Sequence, residues 1–161
     1  MSWQFSIDKA RTSQDYHAAA QLFEAYRASL SISLCFQDFE QEIADLGKAY
    51  PSPHGAIFLA RDGDVTGGCC AIRPLADVDY ANACEMKRLY VKPVFRQLGL
   101  GRDLAEAVIE FARDTGYNYL LLDTLDEMET ARSLYQDLGF VEVEPYYHNP
   151  IAGAHYLMVT L

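Results

Sequence analysis

Apolar and polar positions alternate from Trp3 to Asp8, which predicts an opening strand. From Ser13, read as an N-cap, Tyr16, Ala20, Phe23, Arg27 and Leu30 recur at helical spacing on one face. The helix they predict is broken at Ser31 to Cys35. A second, short helix is expected over Asp38 to Leu46, apolar at Phe39, Ile43 and Leu46, with Gly47 closing it. Pro51 to Gly55 reads as loop. Two apolar runs, Ala56 to Arg61 and Val65 to Ile72, then flank Asp62-Gly63-Asp64 and predict an antiparallel hairpin.

A further strand, Cys84 to Val91, ends before Pro93. Leu104, Val108, Phe111 and Ala112 mark a helix that begins near Gly101 and stops at Gly116. Tyr119 to Asp123 is a short continuous apolar run, as expected of a strand buried on both faces. Asp126 and Glu129 have the spacing of a capping box, and they open a helix with the stripe Met128, Ala131, Leu134, Tyr135 and Leu138, ended by Gly139. Phe140 to Val143 and His155 to Leu161 are the last strands, separated by a loop holding Tyr146, Tyr147, Asn149 and Pro150. The order is strand, two helices, three strands, helix, strand, helix, two strands. It predicts an α/β layer, mostly antiparallel in its first half, with a strand–helix–strand crossover in the middle. With no repeat or linker, residues 1–161 are expected to form one domain.

Composition narrows the class. Half the residues are apolar and 22% are charged, as in a soluble globular protein, and no run approaches the roughly 18 apolar residues that span a bilayer. Met1 to Ser6 lacks the order of a signal peptide, so the expectation is cytoplasmic, with no membrane partner. Cys35, Cys69, Cys70 and Cys84 form no C-x-x-C pair and have no His at ligand spacing; buried thiols are expected, and no metal. His17, His54, His148 and His155 show no spacing of a metal site or nucleophilic relay. The net charge of −10 disfavours nucleic acid and suits a cationic substrate. Against that background Lys87, Arg88, Lys92, Arg96 and Arg102 fall together with no acidic residue between Lys87 and Arg102, a local reversal of sign.

The stretch Val91 to Arg102 carries the strongest chemical signal. A strand ends, a Pro-containing connection follows, and Gly99 and Gly101 precede a helix. Glycines let backbone N–H groups converge, the helix start adds unsatisfied donors, and Arg96 and Arg102 add charge, so a pyrophosphate fits. The same glycines also serve a plain strand-to-helix turn. The P-loop pattern is absent. A dinucleotide fingerprint remains as a minor alternative: Asp123 stands roughly where a ribose-binding acid belongs, but Leu104 occupies the third glycine position.

These residues resemble the GNAT family of N-acetyltransferases, whose central motif is a strand, a Pro, then an Arg/Gln-x-x-Gly-x-Gly/Ala loop opening a helix. Here it reads Glu85-Met86-Lys87-Arg88-Leu89-Tyr90-Val91, Pro93, then Arg96 to Gly101. The family's second motif, a helix ending Leu-Tyr-x-x-x-Gly-Phe, is matched by Ala131 to Phe140, with Tyr135 in the Tyr position. The resemblance implies the α/β GNAT-like acyl-CoA N-acyltransferase fold: a mixed, mostly antiparallel central sheet with a splayed parallel strand pair, flanked by helices. It implies acetyl-CoA as co-substrate, no metal, and a primary amine on a small molecule or peptide as acceptor; the family often forms homodimers, and the sequence leaves the oligomeric state open. Carried over by position, Leu89, Tyr90 and Val91 would bond the pantetheine arm across a wedge opened by a bulge. Arg96, Gln97, Leu98, Gly99, Leu100, Gly101 and Arg102 would hold the pyrophosphate, with Ala131 and Tyr135 also facing the cofactor. Met128 departs from the family, which often has Asn there.

The chemistry so implied is direct attack of a neutral amine on the thioester. Tyr135 is the candidate donor to the leaving thiolate, because a phenol of pKa about 10 is protonated at neutral pH. It also lies on an apolar helix face, where aromatics fill core. Glu85 is the candidate base, with pairing to Lys87 or Arg88 as its alternative. Lys87 and Arg88, as neighbours on a strand, are expected on opposite faces. Phe36, Phe39, Lys87, Tyr146 and Tyr147 are candidates to line the acceptor pocket. A non-catalytic acyl-CoA-binding module would keep the Arg96–Arg102 loop while dispensing with Glu85 and Tyr135.

Overall fold

The structure, a computed structural model, describes residues 2–30, 38–126, 128–148 and 151–161. Its elements in chain order are β1 (Ser6–Lys9), α1 (Ser13–Ser29), α2 (Phe39–Ala44), α3 (Leu46–Ala49), β2 (Ala56–Asp62), β3 (Val65–Leu75), β4 (Ala83–Val91), α4 (Leu100–Thr115), β5 (Tyr119–Leu125), α5 (Glu129–Asp137), β6 (Val141–Val143) and β7 (Ala154–Thr160). A short 3-10 turn at Pro93–Phe95 follows β4. The strands form one seven-stranded sheet in the order β1-β2-β3-β4-β5-β7-β6. Every neighbouring pair is antiparallel except β4 with β5.

Both faces of the central strands are covered, and side-chain alternation divides the core in two. Phe58, Cys70, Cys84, Met86 and Leu120 point to α4 and α5, where Leu104, Val108 and Tyr135 meet them. Ile57, Leu59, Cys69, Ala71 and Tyr90 point the other way, onto Phe23, Phe39, Leu46 and Tyr50 of α1 to α3 and the turn after them. The thiols of Cys69, Cys70 and Cys84 are free and buried. Among the described residues no helix is long and apolar enough to cross a membrane.

Several boundaries differ from the sequence expectation, each for a local reason. The first strand begins at Ser6 because Trp3 and Phe5 are drawn into an aromatic cluster with Phe95, with ring centroids 4.8 to 5.5 Å apart. Thr12 rather than Ser13 caps α1: its hydroxyl accepts from the Asp15 amide at 3.1 Å, and the Asp15 carboxylate accepts from the Thr12 amide at 3.1 Å. Gly47 does not end a helix. Asp45 does, and its carboxylate caps a further turn, α3, at the Lys48 amide (3.2 Å). The box expected at Asp126 and Glu129 does not form; α5 starts at Glu129 with Met128 as an N-cap that makes no side-chain bond, and the Asp126 carboxylate is taken by His155. β5 runs two residues longer than its apolar core, to Leu125, since β7 stays paired with it as far as Ala154. The expected break at Ser31 to Cys35 lies outside the described residues.

Asp15 also pairs with Arg61 of β2 and so ties α1 to the sheet. The amides of Arg11 and Thr12, aided by Arg61 and opposed by desolvation, lower its pKa to about 2. A depressed carboxyl pKa stabilises the fold above the unfolded value of about 3.9 and loses that contribution as pH falls toward 2. Replacing Asp15 by Ala should remove about 1–2 kcal/mol at pH 7 in urea unfolding. The variant's stability should also fall less steeply than the parent's between pH 4 and 2.

Candidate active site

β4 and β5 share only three residue pairs, Ala83 with Tyr119, Cys84 with Leu120 and Glu85 with Leu121. Beyond Glu85 the strands separate. β4 follows β3, whose register jumps from Ala71 opposite Lys87 to Cys69 opposite Tyr90, a bulge in which Arg88 takes φ 61°. β5 instead follows β7 through to Leu125. The result is a wedge with Met86–Val91 on one wall and Leu122–Leu125 on the other.

A positive φ at a bulky residue costs about 1–3 kcal/mol and persists only where its surroundings fix it. Here Arg88 donates from Nε and Nη2 to the Glu42 carboxylate at 3.0 and 2.7 Å, while the Tyr50 hydroxyl donates to Glu42 at 2.8 Å. The guanidinium also lies 5.3 Å over the Phe39 ring. The bulge corrects the expectation for Lys87 and Arg88. Both are buried and both lie on the α1–α3 side of the sheet, Arg88 on Glu42 and Lys87 beside Asp123 at 3.8 Å. Phe39 supports Arg88 within the core, fully buried, rather than lining a pocket. Phe36 lies outside the described residues.

Two carboxylates flank the point where the strands part. Glu85 accepts from Arg73 on Oε1, from Nε at 3.1 Å and Nη2 at 3.0 Å, and from the Tyr146 hydroxyl on Oε2 at 2.8 Å. Burial pushes its pKa up, but Lys87, Arg73 and the Tyr146 bond outweigh burial and hold it below the ordinary carboxylate value. Asp123 on β5 accepts from the Tyr147 hydroxyl at 2.6 Å. It is the more open of the two, its side chain 13% exposed against 3% for Glu85.

Tyr135 enters from α5. Burial raises its pKa well above that of a free phenol, reinforced by Cys70, Tyr26 and Asp123, which sit on β3, α1 and β5. Its ring packs on Phe140 at 5.6 Å in the α4-side core, and its hydroxyl has no hydrogen-bond partner among the described residues. Tyr26, which the sequence did not single out, approaches from α1, its ring edge-on to Tyr90 at 6.1 Å. Burial, opposed by Arg88 and reinforced by Asp123, pushes its pKa up to about 12. Its signal in the sequence is faint: it stands three residues after Phe23, one position away from the stripe read there.

At the far end of β4, positive φ at Gln97 (70°) and Gly99 (80°) turns the chain into α4. The first bond of that helix runs from the Asp103 amide to the Gly99 carbonyl (3.1 Å), so the N–H groups of Leu100, Gly101 and Arg102 have no intrahelical partner. A Cβ on Gly101 would meet nothing closer than Leu134 at 3.8 Å, so protein packing does not require glycine there. The opening suits a group that must approach the backbone closely, as a pyrophosphate does. Arg96 donates from Nε to the Val91 carbonyl at 2.9 Å and lies 5.7 Å over the Tyr90 ring. Arg102 pairs with Asp137 at 3.3 Å and Glu106 at 3.9 Å, both exposed. Leu98 is exposed beside them, and Ala131 packs at the edge of the α4-side core. The dinucleotide alternative loses its support: Leu104 is fully buried core, and Asp123 is committed to Tyr147 and Lys87.

A mixed sheet that parts between two parallel strands and meets a glycine-led helix start defines the acyl-CoA N-acyltransferase fold class. Residues 17–140 match the profile of the acetyltransferase (GNAT) family, and the chain belongs to that family. It is 38% identical over 157 residues to an uncharacterized N-acetyltransferase of Schizosaccharomyces pombe, covering 97% of this chain and 94% of that one. An uncharacterized N-acetyltransferase of Dictyostelium discoideum is 29% identical, with coverage of 80% and 86%. In fold the chain is similar to a GNAT-family acetyltransferase of Staphylococcus aureus, with a TM-score of 0.78, 16% identity and coverage of 98% and 99%. It is also similar to a Salmonella typhimurium protein solved with its cofactor acetyl-CoA, with a TM-score of 0.74, 15% identity and coverage of 98% and 94%.

The Arg88–Glu42 pair gives the wedge a direct stability test. Glu42→Gln keeps the side-chain shape but strands a buried guanidinium, and breaking such a pair costs about 3–5 kcal/mol. Chemical denaturation should show a loss of that order, and a loss below ~1 kcal/mol would mean that the pair does not hold the bulge.

Proposed function

We propose that the chain transfers an acetyl group from acetyl-CoA to the primary amine of a small molecule within a ternary complex. The wedge supports this reading most. Among the described residues no strand pairs with its β4 wall on that side, so the backbone groups of Leu89–Val91 that point away from β3 can bond an extended pantetheine arm as a strand partner would. Ala131 and Tyr135 face the arm from α5. The amides of Gln97 to Arg102, with Arg96, receive the pyrophosphate; the exposed ion pairs of Arg102 are weak enough to yield to it. Met128 supplies no amide to the arm, and its sulfur accepts from Thr124 at 3.4 Å.

In the reaction the neutral amine nitrogen bonds to the thioester carbonyl carbon and the C–S bond breaks. The sulfur leaves as thiolate and takes a hydrogen bond or proton from the Tyr135 hydroxyl. Burial keeps that phenol protonated, and its free hydroxyl is ready for such a partner. The amine's surplus proton passes to a carboxylate. Glu85, the expected base, already accepts on both oxygens and is held as an anion, so in our reading it fixes the strand end and Tyr146. Asp123, more open and within electrostatic reach of Tyr135, receives the proton. Lys87 beside it balances the charge.

Tyr135→Phe removes only the hydroxyl. It should lower kcat on the order of 100-fold while the acetyl-CoA Kd stays within about twofold of the parent. Thiol release and calorimetry measure the two quantities. An unchanged kcat removes Tyr135 from the chemistry. Intact acetyl-CoA binding with no turnover in the parent protein favours the non-catalytic module instead.

A further inference from the structure

The acceptor's chemistry is also written into the site, given the transferase reading above. Behind Tyr147 lies a cavity of about 470 Å3 lined by Pro145, Tyr147, His148, Ile151, Ala154 and Tyr156, together with the Gly153 backbone. Among the described residues no Asp, Glu, Lys or Arg lines it. Tyr147 is shared by the cavity and the wedge: it lines the cavity, and its hydroxyl donates to Asp123. Its ring packs edge-on against Tyr156 at 5.7 Å and tilted against Tyr146 at 5.4 Å, so the wall nearest the wedge is aromatic. The volume falls within the range of small-molecule pockets, with room for a ring.

The charges beside the wedge point the same way. Glu85 is matched by Arg73, Asp123 by Lys87 and Glu42 by Arg88. The chain's net charge of −10 is therefore not expressed at the reacting centre, and a polycation finds no surplus of carboxylates there. An uncharged tail in the cavity loses no hydration of charge, and the carboxylate beside Gly153, that of Asp126, is already paired with His155.

We infer that the acceptor is a primary amine carrying an uncharged, ring-sized group. The nitrogen sits at Asp123, and the ring lies in the cavity against Tyr147 and Tyr156. This sets aside the polyamine-like substrates that net charge alone suggests.

Propylamine, phenethylamine and spermidine share a terminal CH2NH2 and differ in the tail, so kcat/KM from thiol release at saturating acetyl-CoA reads the cavity directly. Phenethylamine should exceed propylamine at least tenfold, with spermidine no better than propylamine. Ile151→Trp and, separately, Ile151→Phe fill the cavity and should bring the phenethylamine-to-propylamine ratio toward one, with calorimetric acetyl-CoA affinity retained as the control for folding. Preference for spermidine, or a ratio that survives both substitutions, overturns the inference and leaves the transferase reading intact. No release with any amine, alongside intact acetyl-CoA binding, overturns both.

Discussion

Two parallel strands that part after three residue pairs fix the rest of this site. An open edge inside a sheet leaves backbone donors and acceptors without partners, an arrangement that sheets ordinarily avoid. It survives here because each wall is held from its far side. β5 is paired with β7 along its full length, and β4 is held by β3 and by a bulge locked through Arg88, Glu42 and Tyr50. Side chains from both faces of the sheet then reach the gap, Tyr135 from α5 and Tyr26 from α1. The helix start at Gly99 lies just past the end of the same β4 wall, so a single extended ligand can touch the strand edge and the helix amides together.

The basic run from Lys87 to Arg102 divides into two tasks. Its first two members are spent inside the protein, Lys87 on Asp123 and Arg88 on Glu42. Arg96 and Arg102 remain at the glycine loop, where their contacts are to a backbone carbonyl and to exposed acids. One stretch of positive charge thus neutralises buried carboxylates beside the wedge at one end and leaves cations at the helix start at the other. The same arrangement makes net charge a poor guide to the acceptor.

Much of this was legible in the sequence, where local physics decides the outcome. The hairpin around Gly63, the strand ending before Pro93, the helix from Leu100 to Gly116 and the Leu-Tyr-x-x-x-Gly-Phe helix end all rest on contacts within a few residues. The splayed pair followed from the family resemblance of two motifs. What escaped depends on distant partners. The family resemblance implied a bulge, but not what locks it: Glu42, which holds Arg88, is 46 residues away. The capping box at Asp126 reads well locally and loses to His155, a tertiary competitor 29 residues on. The link from Tyr147 to Asp123 and the approach of Tyr26 arise only when the elements meet.

Gly101→Ala tests most directly whether acetyl-CoA is held along β4 and at the amides of the α4 start. The added methyl has free space within the protein and suits a helix, so the melting temperature should hold or rise slightly. It occupies the space where the pyrophosphate would approach. Calorimetry should show saturable acetyl-CoA binding to the parent, at least about tenfold weaker binding to the variant, and no binding of NAD to either. Equal affinity in parent and variant, or binding of NAD in place of acetyl-CoA, would contradict the account.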